Sequence, residues 1–127
     1  MPKLSLVISV YNEEDNIQPL AGKIRDALAG MDYEAIFVDD GSKDKTVQHI
    51  LSIDDPHFIL IRFKKNYGQS SALAAGIDYA KGDYIVTLDG DLQNDPADIP
   101  MMLKIAEEGD WDMVDGKRKN RKDGMLI

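Results

Sequence analysis

In Gly82-Asp83-Tyr84-Ile85-Val86-Thr87-Leu88-Asp89-Gly90-Asp91-Leu92-Gln93-Asn94-Asp95-Pro96, Tyr84 to Leu88 is rich in aromatic and β-branched residues and short enough for one buried strand. That strand runs directly into two aspartates separated by a glycine. Adjacent carboxylates repel and stay ionised when a cation neutralises them, and hard oxygen donors suit Mg²⁺ or Mn²⁺. Asp89 and Asp91 are therefore candidate metal ligands, and Gln93 can add a neutral oxygen. The same residues also suit a solvated turn closing the strand. A calcium-binding EF-hand loop does not fit: counted from Asp89, the sixth place needs Gly and the twelfth Glu, and Asn94 and Pro100 stand there.

Downstream, Asp95-Pro96-Ala97-Asp98 has the order of a helix start, with Asp at the N-cap, Pro at the first position and an acid at the third. Met101, Met102, Ile105 and Ala106 are the predicted apolar face, the methionines as core filling. A short strand is expected near Trp111–Val114. Upstream, Gly82 stops a predicted helix over 70–81 with Leu73, Ala74, Ile77 and Ala80 facing inward. Before it lie a strand over 57–63 and the loop Lys64-Lys65-Asn66-Tyr67-Gly68-Gln69. A strand over 34–39 leads into Asp39-Asp40-Gly41-Ser42, where Ser42 can cap a helix carrying Val47, Ile50 and Leu51 inward. The first strand, Leu4–Val10, leads into Tyr11-Asn12-Glu13-Glu14-Asp15. Asn12 is the expected N-cap, with three acids favoured by the helix dipole. Ile17, Leu20, Ala21, Ile24 and Leu28 then follow at amphipathic spacing and Gly30 closes the helix.

Strands alternating with helices, each strand nearly all apolar, define an α/β fold with a mostly parallel sheet covered on both faces. In such sheets ligands bind beyond the carboxyl ends of the strands, where strand order switches. Tyr11-Asn12-Glu13, Asp39-Asp40 and Asp89-Gly90-Asp91, 28 and 50 residues apart, all occupy such ends and should converge on one edge. The chain has neither a Gly-x-Gly-x-x-Gly after its first strand nor a phosphate-binding Gly-x-x-x-x-Gly-Lys loop. A cation on Asp89 and Asp91 could instead bridge phosphate oxygens, Asp40 could accept hydrogen bonds from a base or ribose, and Tyr11 could lie against a base. Taken singly, Tyr11 also fits an ordinary strand-end aromatic, Glu13 a helix-dipole partner, and Asp40-Gly41-Ser42 a plain turn. His49 and His57 lack paired metal spacing and receive no role.

The 127 residues carry a formal charge of −8, unevenly. Residues 117–127 hold five basic residues and one acid, leaving 10 basic against 22 acidic residues in 1–116. So acidic a body argues against nucleic acid as a partner, while a metal-bridged phosphate is compatible with it. No cysteine is present, which excludes thiol chemistry and fits a reducing compartment. No apolar run approaches the roughly 20 residues of a membrane span and no signal peptide is evident, so a soluble chain is expected. The residues carry no signal for an oligomeric state.

Val10-Tyr11-Asn12-Glu13-Glu14, Val38-Asp39-Asp40-Gly41-Ser42-x-Asp44-x-Thr46, Asn66-Tyr67-Gly68-Gln69, Ala75-Gly76, Ala80-x-Gly82-Asp83 and Leu88-Asp89-Gly90-Asp91-Leu92-Gln93-Asn94-Asp95-Pro96 together resemble the family 2 inverting glycosyltransferases of GT-A (Rossmann-like) fold. Asp91-Leu92-Gln93 and the tail from Gly116 to Asp123 resemble the polyprenyl-phosphate branch, which includes dolichyl-phosphate mannosyltransferases. The likeness spans nearly the whole chain. It implies that Tyr11 and Glu13 border the nucleoside, that Val38 and Asp40 meet the base, and that Asp89 and Gly90 contact the sugar nucleotide. It further implies metal ligation of Mg²⁺ or Mn²⁺ by Asp89, Asp91 and Gln93. Arg118 would reach the diphosphate or the acceptor phosphate, joining Asp89 and Asp91 as catalytic residues. Ser9 stands where the mannosyltransferases usually have Pro, and Gly90 where many members have Ala; a UDP-sugar is favoured over a GDP-sugar.

The implied activity is transfer of a sugar from a nucleotide diphosphate, with inversion, to a polyprenyl phosphate. The alternatives are a cell-envelope polysaccharide or glycan acceptor, and a non-catalytic nucleotide-sugar-binding module. A phosphoacceptor receiver domain would place its acidic pair after the first strand, where Tyr11-Asn12-Glu13 stands. The expected organisation is an N-terminal donor-binding part over residues 1–116 and a basic tail, 117–127, leading to acceptor-side and membrane structure of a longer protein at the cytoplasmic face of a membrane.

Overall fold

The apolar alternation of the strands, read against the helices, sorts the core into two layers. In the computed structural model, which describes residues 3–91 and 95–109, the order is β1 (Leu4–Val10), α1 (Ile17–Ala27), β2 (Tyr33–Asp39), α2 (Thr46–Leu51), β3 (Phe58–Arg62), α3 (Gln69–Tyr79), β4 (Tyr84–Asp89), a 3-10 turn (Pro96–Asp98) and α4 (Ile99–Gly109). The four strands are parallel in the order β3-β2-β1-β4. Leu4, Leu6, Ile8 and Val10 of β1 face α1, α2 and α4, where Ile17, Leu20, Ile24, Ile50, Ile99 and Met102 close over them. Val7, Ile36 and Val38 face the other way, under Ala72 of α3. The expected α/β architecture with helices on both faces is the one observed.

Several local expectations shift. Helix α1 starts a turn later than Asn12, because Asn12 adopts the left-handed conformation, φ +52°, which Asn tolerates better than most residues. Its side chain accepts from the Lys43 amide at 2.9 Å; Asn16 takes the cap position, so no acid lies in the first turn. Ser42 does not cap α2. It accepts from the Asn12 amide at 2.8 Å, and Asp44 receives the Thr46 amide at 2.9 Å instead. Leu51 is exposed, while Val47 and Ile50 are buried. On α3, Ala74 points outward and Ala72 and Gly76 face the sheet; a Cβ at Gly76 would lie 2.3 Å from Val7 Cγ1, so a small residue sets how close this helix sits. On α4 the buried residues are Ile99, Met102, Leu103 and Ala106, with Met101 and Ile105 exposed. Asp95 caps as expected, accepting from the Ala97 amide at 3.0 Å. The strand expected near Trp111–Val114 and the basic tail lie outside the described residues. Among the described residues no helix is long and apolar enough to cross a membrane.

Candidate active site

Strand order reverses at β1, which has β2 on one side and β4 on the other. Beyond the carboxyl ends of these strands opens a cavity of about 250 Å³, lined by Ser9, Val10, Tyr11, Glu13, Asp40, Gln69, Asp89, Gly90 and Asp91. The three polar clusters thus meet at the address that strand topology assigns to ligands.

Two turns are interlocked to hold the rim formed by residues 11–14. The Glu13 amide donates to Thr46 Oγ1 at 2.8 Å, the Glu14 amide to Asp44 Oδ2 at 3.3 Å, and the Asn12 pair with Ser42 and Lys43 closes the other end. Asp39 anchors this arrangement from below: Oδ2 accepts from the Ser42 amide at 3.0 Å, and Oδ1 is buried without a hydrogen-bond partner among the described residues. Asp44, Thr46 and Asp39 are therefore supports for the rim, and Tyr11, 43% exposed, is left free to offer a ring face to a ligand.

The opposite rim follows β4. The Gly90 amide donates to Ser9 O at 3.0 Å, which presses the chain onto β1 so closely that a Cβ at Gly90 would lie 2.5 Å from Val10 Cγ1. This glycine allows Asp89 and Asp91 to flank the cavity. Asp89 also accepts a hydrogen bond from the Gln69 side-chain amide. Asp40, 4% exposed, accepts from the Tyr67 amide at 2.8 Å and the Gly68 amide at 3.0 Å. The acids crowd one another: burial first, then the charges of Asp91, Asp44 and Asp89, push the Glu13 carboxyl up, against the hydrogen bond from Asn16.

Of the residues predicted from sequence, Tyr11, Glu13, Asp40, Asp89, Gly90 and Asp91 come together. Val38 does not: fully buried, it packs with Val7, Ile36 and Ala72 on the α3 side of the sheet, because it lies within β2, short of the strand end where the cavity opens. Gln93 and Arg118 lie outside the described residues. Ser9, Val10 and Gln69 line the cavity without having been assigned contact roles. Gln69's signal was its place in the loop after a strand's carboxyl end. The His49 ring meets the Glu14 carbonyl, and the His57 ring meets Asp55 and stacks on Tyr33. No group of three or more His, Asp or Glu side chains able to hold a metal ion forms among the described residues.

Residues 5–126 match the profile of Glycosyl transferase family 2. The chain belongs to this family. It is 41% identical over 130 residues to a dodecaprenyl-phosphate galacturonate synthase of Rhizobium johnstonii, covering 98% of this chain and 38% of that protein. It is 44% identical over 126 residues to an undecaprenyl-phosphate 4-deoxy-4-formamido-L-arabinose transferase of Proteus mirabilis, covering 95% and 38%. The chain thus spans about two fifths of the length of these relatives. Its fold matches S. aureus TarS 1-349 in complex with UDP-GlcNAc, with a TM-score of 0.76 at 20% identity over 94% of this chain and 37% of that one. It also matches the mannosyltransferase PcManGT of Pyrobaculum calidifontis in complex with GDP-Man and Mn²⁺, with a TM-score of 0.61 at 24% identity over 71% and 28%. These place the family 2 chain among GT-A folds, as its sequence motifs implied.

Proposed function

We propose that this chain is the donor-binding part, centred on residues 1–116, of an inverting transferase that moves a sugar from a nucleotide diphosphate to a polyprenyl phosphate at a membrane. The observation that carries the reading is the convergence of Tyr11, Glu13, Asp40, Asp89, Gly90 and Asp91 on one cavity at the strand-order switch. Relatives whose names specify polyprenyl-phosphate transfer support the acceptor class.

Tyr11 and Glu13 border the nucleoside, and Asp40 faces it from the end of β2. Asp89 and Asp91 supply hard oxygen donors that fit a divalent cation whose remaining positions phosphate oxygens and water can fill; Gln93 and Arg118 are the further residues proposed to act there. When bound, Mg²⁺ or Mn²⁺ supplies neutralisation of charge on the nucleoside diphosphate leaving group. The Mn²⁺ in the mannosyltransferase complex supports a divalent ion of this kind. An acceptor phosphate oxygen attacks the anomeric carbon opposite the departing diphosphate, which inverts the centre. Because that oxygen is already anionic, the residues of the cleft need only orient it, without a base to deprotonate it.

Calorimetric titration of UDP and GDP, in Mn²⁺ and in chelator, tests the donor site. UDP is expected to bind more tightly than GDP, with most affinity lost in chelator or in Asp91→Asn. Equal affinity with and without metal would remove Asp89 and Asp91 from the role given them.

A further inference from the structure

The loop before α3 is fastened to Asp40 at three points. The Asn66 side-chain amide donates to the Asp40 carbonyl at 3.2 Å, and the Tyr67 and Gly68 amides donate to the two carboxylate oxygens. Gly68 makes the bend with φ +105°, a conformation that a side chain would strain, and the Tyr67 ring packs edge-on against Phe63, centroids 5.6 Å apart. Gln69, the first residue of α3, projects from this fixed backbone and donates its side-chain amide to Asp89 Oδ1. An otherwise solvated glutamine has several rotamers open to it; here one is selected by a charged acceptor across the cleft, twenty residues away in sequence.

We propose that Gln69 is a positioning residue for Asp89, holding its carboxylate in the orientation that the donor complex uses, from a helix start whose place Asp40 fixes. A carboxylate oxygen has two lone-pair sites. The Gln69 amide takes one site of Oδ1 and so constrains how the carboxylate turns about its bond to Cβ. The assignment rests on the donor-site reading given above, and it extends that reading to a residue that acts through Asp89. It also joins the two carboxylates into one mechanical unit, Asp40 to Tyr67-Gly68 to Gln69 to Asp89. Partners that orient a metal-binding carboxylate typically change metal affinity or activity by 10–100-fold when removed. Gln69 is exposed at a helix start, so replacing it leaves the core untouched.

Two measurements on the chain test this. The first is the ratio of UDP affinities with Mn²⁺ and in chelator, for wild type, Gln69→Ala and Gln69→Glu. In Gln69→Ala the chelator affinity is expected to stay within about twofold, while the Mn²⁺-dependent gain falls about tenfold or more. Gln69→Glu, which replaces the donor with an acceptor facing Asp89, should not rescue it. An unchanged gain in Gln69→Ala overturns the proposal. The second is ¹⁵N-resolved NMR of the Gln69 side-chain amide in metal-free protein. One Nε2 proton should be shifted downfield by hydrogen bonding and return to the free-amide position in Asp89→Ala. A free-amide shift in the wild type overturns the positioning role directly. A wild type with no Mn²⁺-dependent gain would instead defeat the metal reading of the donor site, and the NMR result would still decide whether Gln69 holds Asp89.

Discussion

Glu34 and Asp40 lie at opposite ends of one strand, on the same face, and both grip α3. Glu34, 7% exposed, accepts from the Lys81 amide just after the helix at 2.7 Å and from the Ser5 hydroxyl at 2.6 Å, while the Gly82 amide donates to Ser5 at 2.7 Å. Asp40, 4% exposed, accepts from the amides just before the helix. Burial and backbone amides are common to both, so neither marks a site. The difference is what stands around them. Glu34 is closed in by its own donors at the amino edge of the sheet, away from the cavity, whereas Asp40 shares a cavity with Glu13, Asp89 and Asp91. A lone buried carboxylate met by donors from its own fold fastens structure; several carboxylates gathered around open space call for a ligand that offsets their charge.

Glu34→Ala should separate these roles most sharply. It leaves the Ser5 hydroxyl and the Lys81 amide without their acceptor, each worth about 1–3 kcal/mol when buried and unmet, so a loss of about 3 kcal/mol is expected in urea unfolding. UDP affinity at a temperature where the variant is folded should not change; if it falls with stability intact, the amino edge is coupled to the site and the contrast fails. Asp40→Ala is expected to weaken nucleoside binding by about 1.5–3 kcal/mol, the range for a hydrogen bond to a charged group, without abolishing metal binding. Unchanged binding of uridine monophosphate would reduce Asp40 to a second Glu34, a clamp on α3 alone.

The strands were legible because their apolar runs are short and sharply bounded, and the cavity because three of them end in acids. What the sequence hid is mostly a matter of long-range partners. Asn12 looks like a helix cap by composition, but Ser42 and Lys43, about 30 residues later, recruit it into a turn-to-turn lock. Val38 follows the same alternation that buries Ile36, and although it shares a face with Asp40 it stands two residues further back, inside the sheet and under α3. Spacing alone turns Met101 and Ile105 inward, whereas in the fold both are exposed and Leu103 is buried, a rotation of the helix face that only tertiary packing decides. Gln69 shows no acidic or aromatic signal, and its relation to Asp89 exists only once α3 is placed across the sheet.

The smallest effect concerns the crowding itself. Burial, and after it the charges of Asp91, Asp44 and Asp89, raises the Glu13 carboxyl above its ordinary value of 4.5. Between that value and the raised one, the folded protein keeps a proton that the unfolded chain has released, so stability falls as pH rises through this interval and the deficit is complete above it. Asp44, two turns away in the same lock, has the opposite sign. Burial pushes it up, but the Thr46 hydroxyl and the Thr46 and Glu14 amides together bring it below 3.8, so its contribution is present at neutral pH and is lost as pH falls. Glu13→Gln keeps an oxygen for the Asn16 amide, which lies 2.8 Å from Glu13 Oε1, and removes the charge. In chelator, the variant should therefore unfold at a higher urea concentration than wild type at pH 7, by less than either change above, and the two should converge towards pH 4. If the curves run parallel over that range, the acids of the cleft do not feel one another, and the contrast between a gathered and a solitary carboxylate would lose its electrostatic basis.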